Sequence, residues 1–364
     1  MNSLQEQPSA LQGPVLVVEP NMTGHRPYYV RLLVEAAVAR GQDVVLATRP
    51  AQLDSPDAVL HLGELSGQFH PAVSASWTPE ALAGLSRDVG AALTVVPDGD
   101  RFAMKLALTR GWAGVGGLSL LIMRELAQPH RIPGMQAART AIRSALFRRA
   151  NGFPRVRVSV LKSSWWSGSS ALPVVRDPIS LNSSPEAVQR VTREWGLSED
   201  RYWFAVLGAI SRRKNLELVA MALADIDPRR VGLLVAGAWD GDMGEETTSA
   251  LNELSGAGAL VVTVNRTLSD EELDSAVVRT DCLVLAHSNE GPSGLLGKAA
   301  AAGTRVVAAG AKSLRADLGW LTGIGTWVTL DEKNLGLAFA RAATQDRPAP
   351  LVGPQETEFV EALL

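Results

Sequence analysis

Two loops concentrate the residue types that handle phosphate and sugar. The first, Gly208-Ala-Ile-Ser-Arg-Arg-Lys-Asn215, follows the apolar run Tyr202 to Leu207 and sets Arg212, Arg213 and Lys214 side by side at the entry to a helical pattern. An arginine fork and a compact ammonium there suit a diphosphate whose charge grows as a bond to it breaks. The second loop, His287-Ser-Asn-Glu-Gly-Pro-Ser-Gly-Leu-Leu-Gly-Lys298, follows the run Cys282 to Ala286 and opens a helix of small residues. Free amides at that helix start favour an anion, Gly291 and Gly294 let backbone come close, and Ser293 adds a hydroxyl; Leu295 and Lys298 complete the first turns. Glu290, at the strand's carboxyl end, repels phosphate but accepts hydrogen bonds from sugar hydroxyls, so it is assigned to the sugar. An ordinary turn with a solvated carboxylate, and a solvated basic turn, would use the same residues.

The first half offers weaker candidates. Met22-Thr-Gly-His-Arg-Pro27 stands between a strand and a helix, which places Gly24 and His25 to meet a ligand, with Arg26 beside them. Pro97-Asp-Gly-Asp-Arg101 stands at another strand end; Asp98 or Asp100 could receive a proton or hydrogen bond from an acceptor hydroxyl, or cap a helix. Between Leu126 and Arg176 there is no acidic residue, and Arg139 and Arg143 fall on one helical face beside Ile142 and Leu146. That face suits an anionic membrane surface or a phosphate-bearing acceptor, and equally a plain solvated surface.

Several classes are excluded. No CxxC, HExxH or histidine cluster supports a protein-bound metal, and no GxxxxGK[ST] loop occurs, so no cofactor is expected. A net charge of −3 gives no reason to expect nucleic acid. The single cysteine, Cys282, lies in a run that reads as buried strand, which fits a reducing cytoplasm. No stretch reads as a signal peptide or membrane span; the expected location is the cytoplasm, with attachment to the inner membrane face left open by the basic segment.

The elements that must position these loops alternate regularly. Val15 to Glu19, Asp43 to Thr48, Ala92 to Val96, Leu118 to Met123, Val156 to Leu161 and Leu172 to Val175 read as strands, with helical patterns between them. The pattern pauses at Asp177-Pro-Ile-Ser-Leu-Asn-Ser-Ser-Pro185, a segment that resists helix and strand, and then restarts. Strands at Tyr202 to Leu207, Val231 to Ala236, Leu260 to Val264, Cys282 to Ala286 and Arg305 to Ala309 follow, with helices at Asn215 to Ala224, Asp270 to Arg279 and Gly294 to Ala302. At 364 residues the chain exceeds one core. It is expected to form two α/β Rossmann-like, doubly wound domains: 1–180 on the acceptor side and 181–345 on the donor side. A terminal helix in 346–364 is expected to cross back to the first domain.

With these loops in hand, the second half resembles the retaining glycosyltransferases of family 4, from about Tyr202 to Trp320. The residues carrying the resemblance are Gly208 through Asn215, Val235-Ala-Gly237, Leu268-Ser-Asp-Glu-Glu-Leu273, Thr280-Asp281, and Glu290-Gly291 leading to Ala299 and Gly303. The first half matches loosely, through Gly24-His25-Arg26 with Tyr29. The resemblance implies the GT-B fold, two Rossmann-like domains facing a central cleft, and metal-independent transfer of a sugar from a nucleotide diphosphate donor to an acceptor hydroxyl with retention. It assigns Lys214 and Arg213 to the diphosphate and Glu290 to the transferred sugar; His25, from its place at a strand's carboxyl end, completes the expected catalytic set. Gly24, Gly208, Arg212, Gly237, Gly291, Ser293, Gly294, Leu295 and Lys298 fall on the donor side, and Arg26, Asp98 and Asp100 on the acceptor side. Two departures stand out: Lys298 replaces the family's second glutamate, which bonds the nucleotide ribose, and Ala209 replaces a frequent arginine. They leave open a GT-B protein that binds a nucleotide or a partner without turnover. An epimerase on the same fold would need further acid and base groups near the sugar, and none stands out.

Overall fold

The computed structural model describes residues 13–24, 26–74, 76–127, 134–241, 244–290 and 293–364. The expected residues His25 and Gly291 lie outside them. The described chain divides into two compact units. One takes in the described residues of Met1–Lys162 with Ser169–Val175 and Glu356–Leu364; the other takes in Ser163–Gly168 and Arg176–Gln355.

The first unit contains strands β1 (Val15–Val18), β2 (Val44–Thr48), β3 (His70–Val73), β4 (Leu93–Val96), β5 (Gly117–Ile122), β6 (Val156–Lys162) and β7 (Val174–Arg176). Its helices are α1 (Arg26–Ala39), α2 (Pro56–Leu62), α3 (Pro79–Asp88), α4 (Asp100–Leu106) and α5 (Met135–Asn151). The sheet order is β3-β2-β1-β4-β5-β6-β7, and β1 pairs in parallel with both β2 and β4. Chain order therefore reverses at β1, the position where open α/β sheets leave a crevice at their carboxyl ends. Strand residues alternate between two cores: Val15, Val17 and Leu46 pack with Leu33 of α1, and Leu16, Val18 and Leu120 pack with Phe102 of α4 and Phe147 of α5.

The second unit contains α6 (Pro185–Glu194), β8 (Tyr202–Leu207), α7 (Leu216–Ala224), β9 (Val231–Ala236), α8 (Glu245–Gly256), β10 (Leu260–Val264), α9 (Asp270–Arg279), β11 (Cys282–His287), α10 (Gly294–Ala302), β12 (Arg305–Gly310), α11 (Lys312–Trp320), β13 (Gly325–Val328) and α12 (Glu332–Ala342). The final helix, α13 (Glu356–Leu363), clusters with the first unit, where Phe359 stacks on Tyr29 at 4.9 Å and Glu356 accepts from the Tyr28 hydroxyl at 2.8 Å.

The second sheet runs β10-β9-β8-β11-β12-β13 with parallel pairings throughout, and β8 lies between β9 and β11. Here the order reverses between β8 and β11. Phe204, Val206 and Val284 meet Leu216, Val219 and Phe339 on one face, while Trp203, Leu207 and Leu285 meet Leu296, Ala299 and Leu314 on the other. Helix α9 starts where its sequence dictates: Ser269 accepts from the Glu272 amide, and the Glu272 carboxylate accepts from the Ser269 amide. Such reciprocal capping satisfies two amides that the helix cannot. Cys282 is fully buried in β11, as its apolar setting requires.

Candidate anion site at the ends of β8 and β11

The sheet reversal of the second unit brings the two phosphate-type loops together. Gly208 leaves β8 with φ +79 and Gly237 leaves β9 with φ +140; a Cβ on Gly237 would lie 2.1 Å from the Gly208 carbonyl oxygen. Only glycine at 237 allows the two strand ends to approach this closely. After Gly208 the chain makes a single tight turn over Arg212–Lys214, and Asn215 takes the left-handed conformation at φ 48. The Asn215 amide group spans the loops by donating to Arg213 O at 3.1 Å and Ala286 O at 2.7 Å. Ser288 closes the junction from the other side, its N–H donating to Arg213 O at 2.9 Å.

This turn drives Lys214 inward while Arg212 and Arg213 stay exposed. The Lys214 side chain is 5% exposed, and its ammonium donates to the Leu207 carbonyl. Among the described residues no carboxylate pairs with it. Burial, and then the neighbouring Arg213, pull its pKa down to about 7. A buried ammonium with only a carbonyl for company sits at high electrostatic cost, and an arriving anion offsets that cost. Arg213 stays nearby, with Nε donating to Ser211 Oγ at 3.2 Å.

The second loop places its residues differently. Glu290 does stand past the end of β11, but its two carboxylate oxygens accept from the amides of Lys312 and Ser313, at 3.0 and 2.8 Å. The expected sugar contact is therefore also the cap of α11. Burial alone would raise the Glu290 pKa, but the Ser313 and Lys312 amides outweigh it and the net shift is downward. Ser293 is the residue before α10 and makes no side-chain cap, while Gly294 and Leu295 form the first turn. A Cβ built on Gly208 would lie 3.7 Å from Leu295 Cδ1 and 3.6 Å from Lys214 Nζ, so Leu295 and Lys214 flank the same glycine.

Lys298 is engaged away from that anion locus. Its ammonium lies 2.6 Å from Asp274 Oδ1 of α9 and donates to Ser180 O at 2.8 Å. Asp274 is fully buried and also accepts from the Asn182 N–H at 2.7 Å. Burial raises the Asp274 pKa, partly countered by the Lys298 charge. The lysine read from sequence as a loop cation thus holds α9, α10 and the segment after Asp177 together.

In the first unit, Gly24 has φ 66 and donates its N–H to Asp57 at 2.8 Å. Arg26 Nε donates to Asp98 at 2.8 Å and lies 3.9 Å from Glu19. Asp100 accepts from the Met123 amide at 2.7 Å and from Arg143 Nη2 at 3.1 Å, so it ties the end of β5 to α5. Neither aspartate caps a helix; Gly99 occupies that position of α4. Arg143 of the expected basic face turns to Asp100 and to Arg124 O, whereas Ile142 is 61% exposed.

Two residues with perturbed chemistry carried no assignment from sequence. Glu19, 2% exposed at the end of β1, accepts from the Asn21 amide at 3.0 Å, and its other oxygen has no hydrogen-bond partner among the described residues. Burial pushes its pKa to about 8. Its one sequence signal is a carboxylate directly after the run Val15–Val18. His287, the last residue of β11, is the other; its pKa falls to about 4 through burial and then through Lys214 and Arg213.

No protein-family model matches the sequence, and no curated protein matches it. Solved structures do. HepE from Anabaena, in complex with UDP, superposes with a TM-score of 0.68 at 14% identity, covering 96% of this chain and 93% of that one. Sucrose-phosphate synthase from Thermosynechococcus elongatus gives 0.64 at 18% identity, over 97% and 95%. WaaG, a glycosyltransferase of lipopolysaccharide biosynthesis, gives 0.59 at 14%, over 96% and 93%. Two parallel Rossmann-like sheets in this order, matched over nearly the whole length of these proteins, give the chain the GT-B fold.

Proposed function

We propose that the chain is a glycosyltransferase that moves a sugar from a nucleoside diphosphate donor to an acceptor hydroxyl, with retention of configuration and without a protein-bound metal. The second unit binds the donor and the first holds the acceptor. The observation that carries this reading is Lys214, a buried ammonium without a carboxylate partner among the described residues, at the point where sheet order reverses. A diphosphate at that point is the ligand that its charge and the exposed guanidinium of Arg213 suit best. Neighbours of the same fold solved with UDP and with UDP-glucose support trying a uracil nucleotide first.

In the reaction, the bond from the sugar's anomeric carbon to the diphosphate oxygen breaks with its electron pair passing to the diphosphate. The acceptor oxygen bonds that carbon, and its proton passes to the departing phosphate. Lys214, Arg213 and the amides opening α10 stabilise the charge that develops. Glu290, fixed by the α11 amides, faces the sugar with whatever lone pairs those bonds leave, and Arg26 and Asp98 position the acceptor.

A second reading is a GT-B protein that binds nucleotide without turnover. It is favoured by Glu290 and Lys298 both being engaged in structural bonds. Release of free nucleotide from a panel of UDP- and GDP-sugars, by wild type and Glu290→Ala, separates the two. Turnover lost in the variant supports transfer. Tight nucleotide binding with no release for any donor or acceptor supports the binder.

A further inference from the structure

The strand that ends beside Lys214 ends in a histidine whose ring nitrogen is left over. Leu283 and Leu285 of β11 pack under α10 and α11, and strand alternation puts His287 on that same face, one step beyond the core. Its carbonyl accepts from the Ala311 amide at 2.8 Å, which fixes the backbone. The imidazole Nε2 is buried and makes no hydrogen bond among the described residues.

A buried polar atom without a partner is costly, and native structures rarely tolerate one without a use. The charges around it are informative. Lys214 and then Arg213, in the loop after β8, act on it electrostatically, while the Glu290 carboxylate, three residues further along the chain, is bonded to the Lys312 and Ser313 amides. Burial, and then these two cations, keep the ring neutral at physiological pH, with one N–H to give. A phosphate oxygen accepts hydrogen bonds and donates none, so it completes both the imidazole N–H and the Lys214 ammonium at once.

We propose that His287 Nε2 donates a hydrogen bond to the diphosphate of the donor, forming with Lys214 a two-nitrogen site that selects nucleoside diphosphates over monophosphates. The inference rests on the donor-site reading and adds to it a residue and a selectivity. Arg213 supplies the outer charge, and His287 and Lys214 the buried contacts.

Titration calorimetry with UDP, UMP and uridine tests it. His287→Leu keeps the ring's bulk without its nitrogens and is expected to bind UDP about tenfold more weakly while binding UMP as wild type does. His287→Gln, whose amide nitrogen reaches the Nε2 position, is expected to recover most of the loss. UDP affinity within twofold of wild type in the leucine variant overturns the assignment. A measurement on wild type stands independently: with 15N-labelled histidine, the His287 Nε2 resonance is expected to move on adding UDP and to stay in place with uridine, and a resonance indifferent to UDP overturns the proposal. Should UDP, GDP, ADP and TDP all fail to bind wild type, the donor-site reading falls and this inference with it. Loss of UDP binding in Lys214→Met beside unchanged binding in His287→Leu leaves the donor site standing and removes only His287.

Discussion

Replacing Lys214 by methionine removes the buried ammonium while keeping a chain of similar length, and its consequences can be worked out with sign and size. An ordinary lysine releases its proton at 10.5; in the folded protein Lys214 does so at about 7. At about 1.4 kcal/mol per unit, holding this proton in the folded state costs roughly 3–5 kcal/mol. The unfolded chain keeps the proton up to about pH 10.5. The cost is therefore fully present below pH 7 and shrinks as pH rises from 7 towards 10.5, so stability climbs across that interval. Lys214→Met is expected to abolish this climb and to stabilise the nucleotide-free protein by about 2–4 kcal/mol at pH 7, after the lost bond to Leu207 O is subtracted. At roughly 2–4 °C per kcal/mol, its thermal transition should rise by about 4–16 °C. UDP affinity should move the opposite way, falling by roughly ten- to a hundredfold, because a charge-assisted bond of about 1.5–3 kcal/mol has gone. Differential scanning fluorimetry across pH 6–10, with and without UDP, reads both effects. A variant that melts lower than wild type without nucleotide, or that binds UDP equally well, refutes the reasoning.

Lys298→Ala leaves Asp274 buried without its cation and is expected to cost about 2–4 kcal/mol in urea unfolding, towards the low end because the lysine is 20% exposed. Adding Asp274→Asn to that variant should recover most of it. Glu290→Gln should cost about 0.5–2 kcal/mol at pH 7 through its weaker cap on α11. That contribution is present above the unfolded carboxyl pKa and lost as pH falls through the depressed folded value, so the variant's acid limb should be flatter. Glu19 behaves oppositely: its folded pKa of about 8 exceeds the unfolded 4.5, so stability falls as pH rises between those values. Glu19→Gln is expected to remove that decline, read as a melting temperature higher than wild type at pH 9 and nearly equal at pH 4.

Most of the second sheet was legible because its strands are short runs dominated by apolar residues: β8 and β9 are largely buried, and β10, exposed or half-exposed at the sheet edge, still shows the β-branched run Val261–Val264. Strand β3 was not, since His70-Pro-Ala-Val73 is short, exposed and carries a proline that only a sheet edge accepts. Strand β13, with only four residues at the other sheet's edge, escaped for a similar reason. Within the site, residue type and strand-end position pointed to Lys214, but not to its burial, which depends on the left-handed Asn215 turning the chain. The partners of Glu290 and Lys298 were not legible at all. Their bonds reach 22 residues to Lys312 and 118 residues to Ser180, distances over which sequence spacing carries no geometry. His287 was visible as a residue of the loop, but its role depends on a missing hydrogen bond, which is a property of packing alone.

The Lys298 and Asp274 pair also bears on the entropy of binding. A loop that must be ordered by its ligand gives up part of the contact energy to that ordering. Here the middle of α10 is anchored from below, to α9 and to the backbone at Ser180, by bonds present before any nucleotide arrives. The amides at its first turn are thus aimed in advance. A cradle held in this way offers its amides to an anion without first having to be ordered by it.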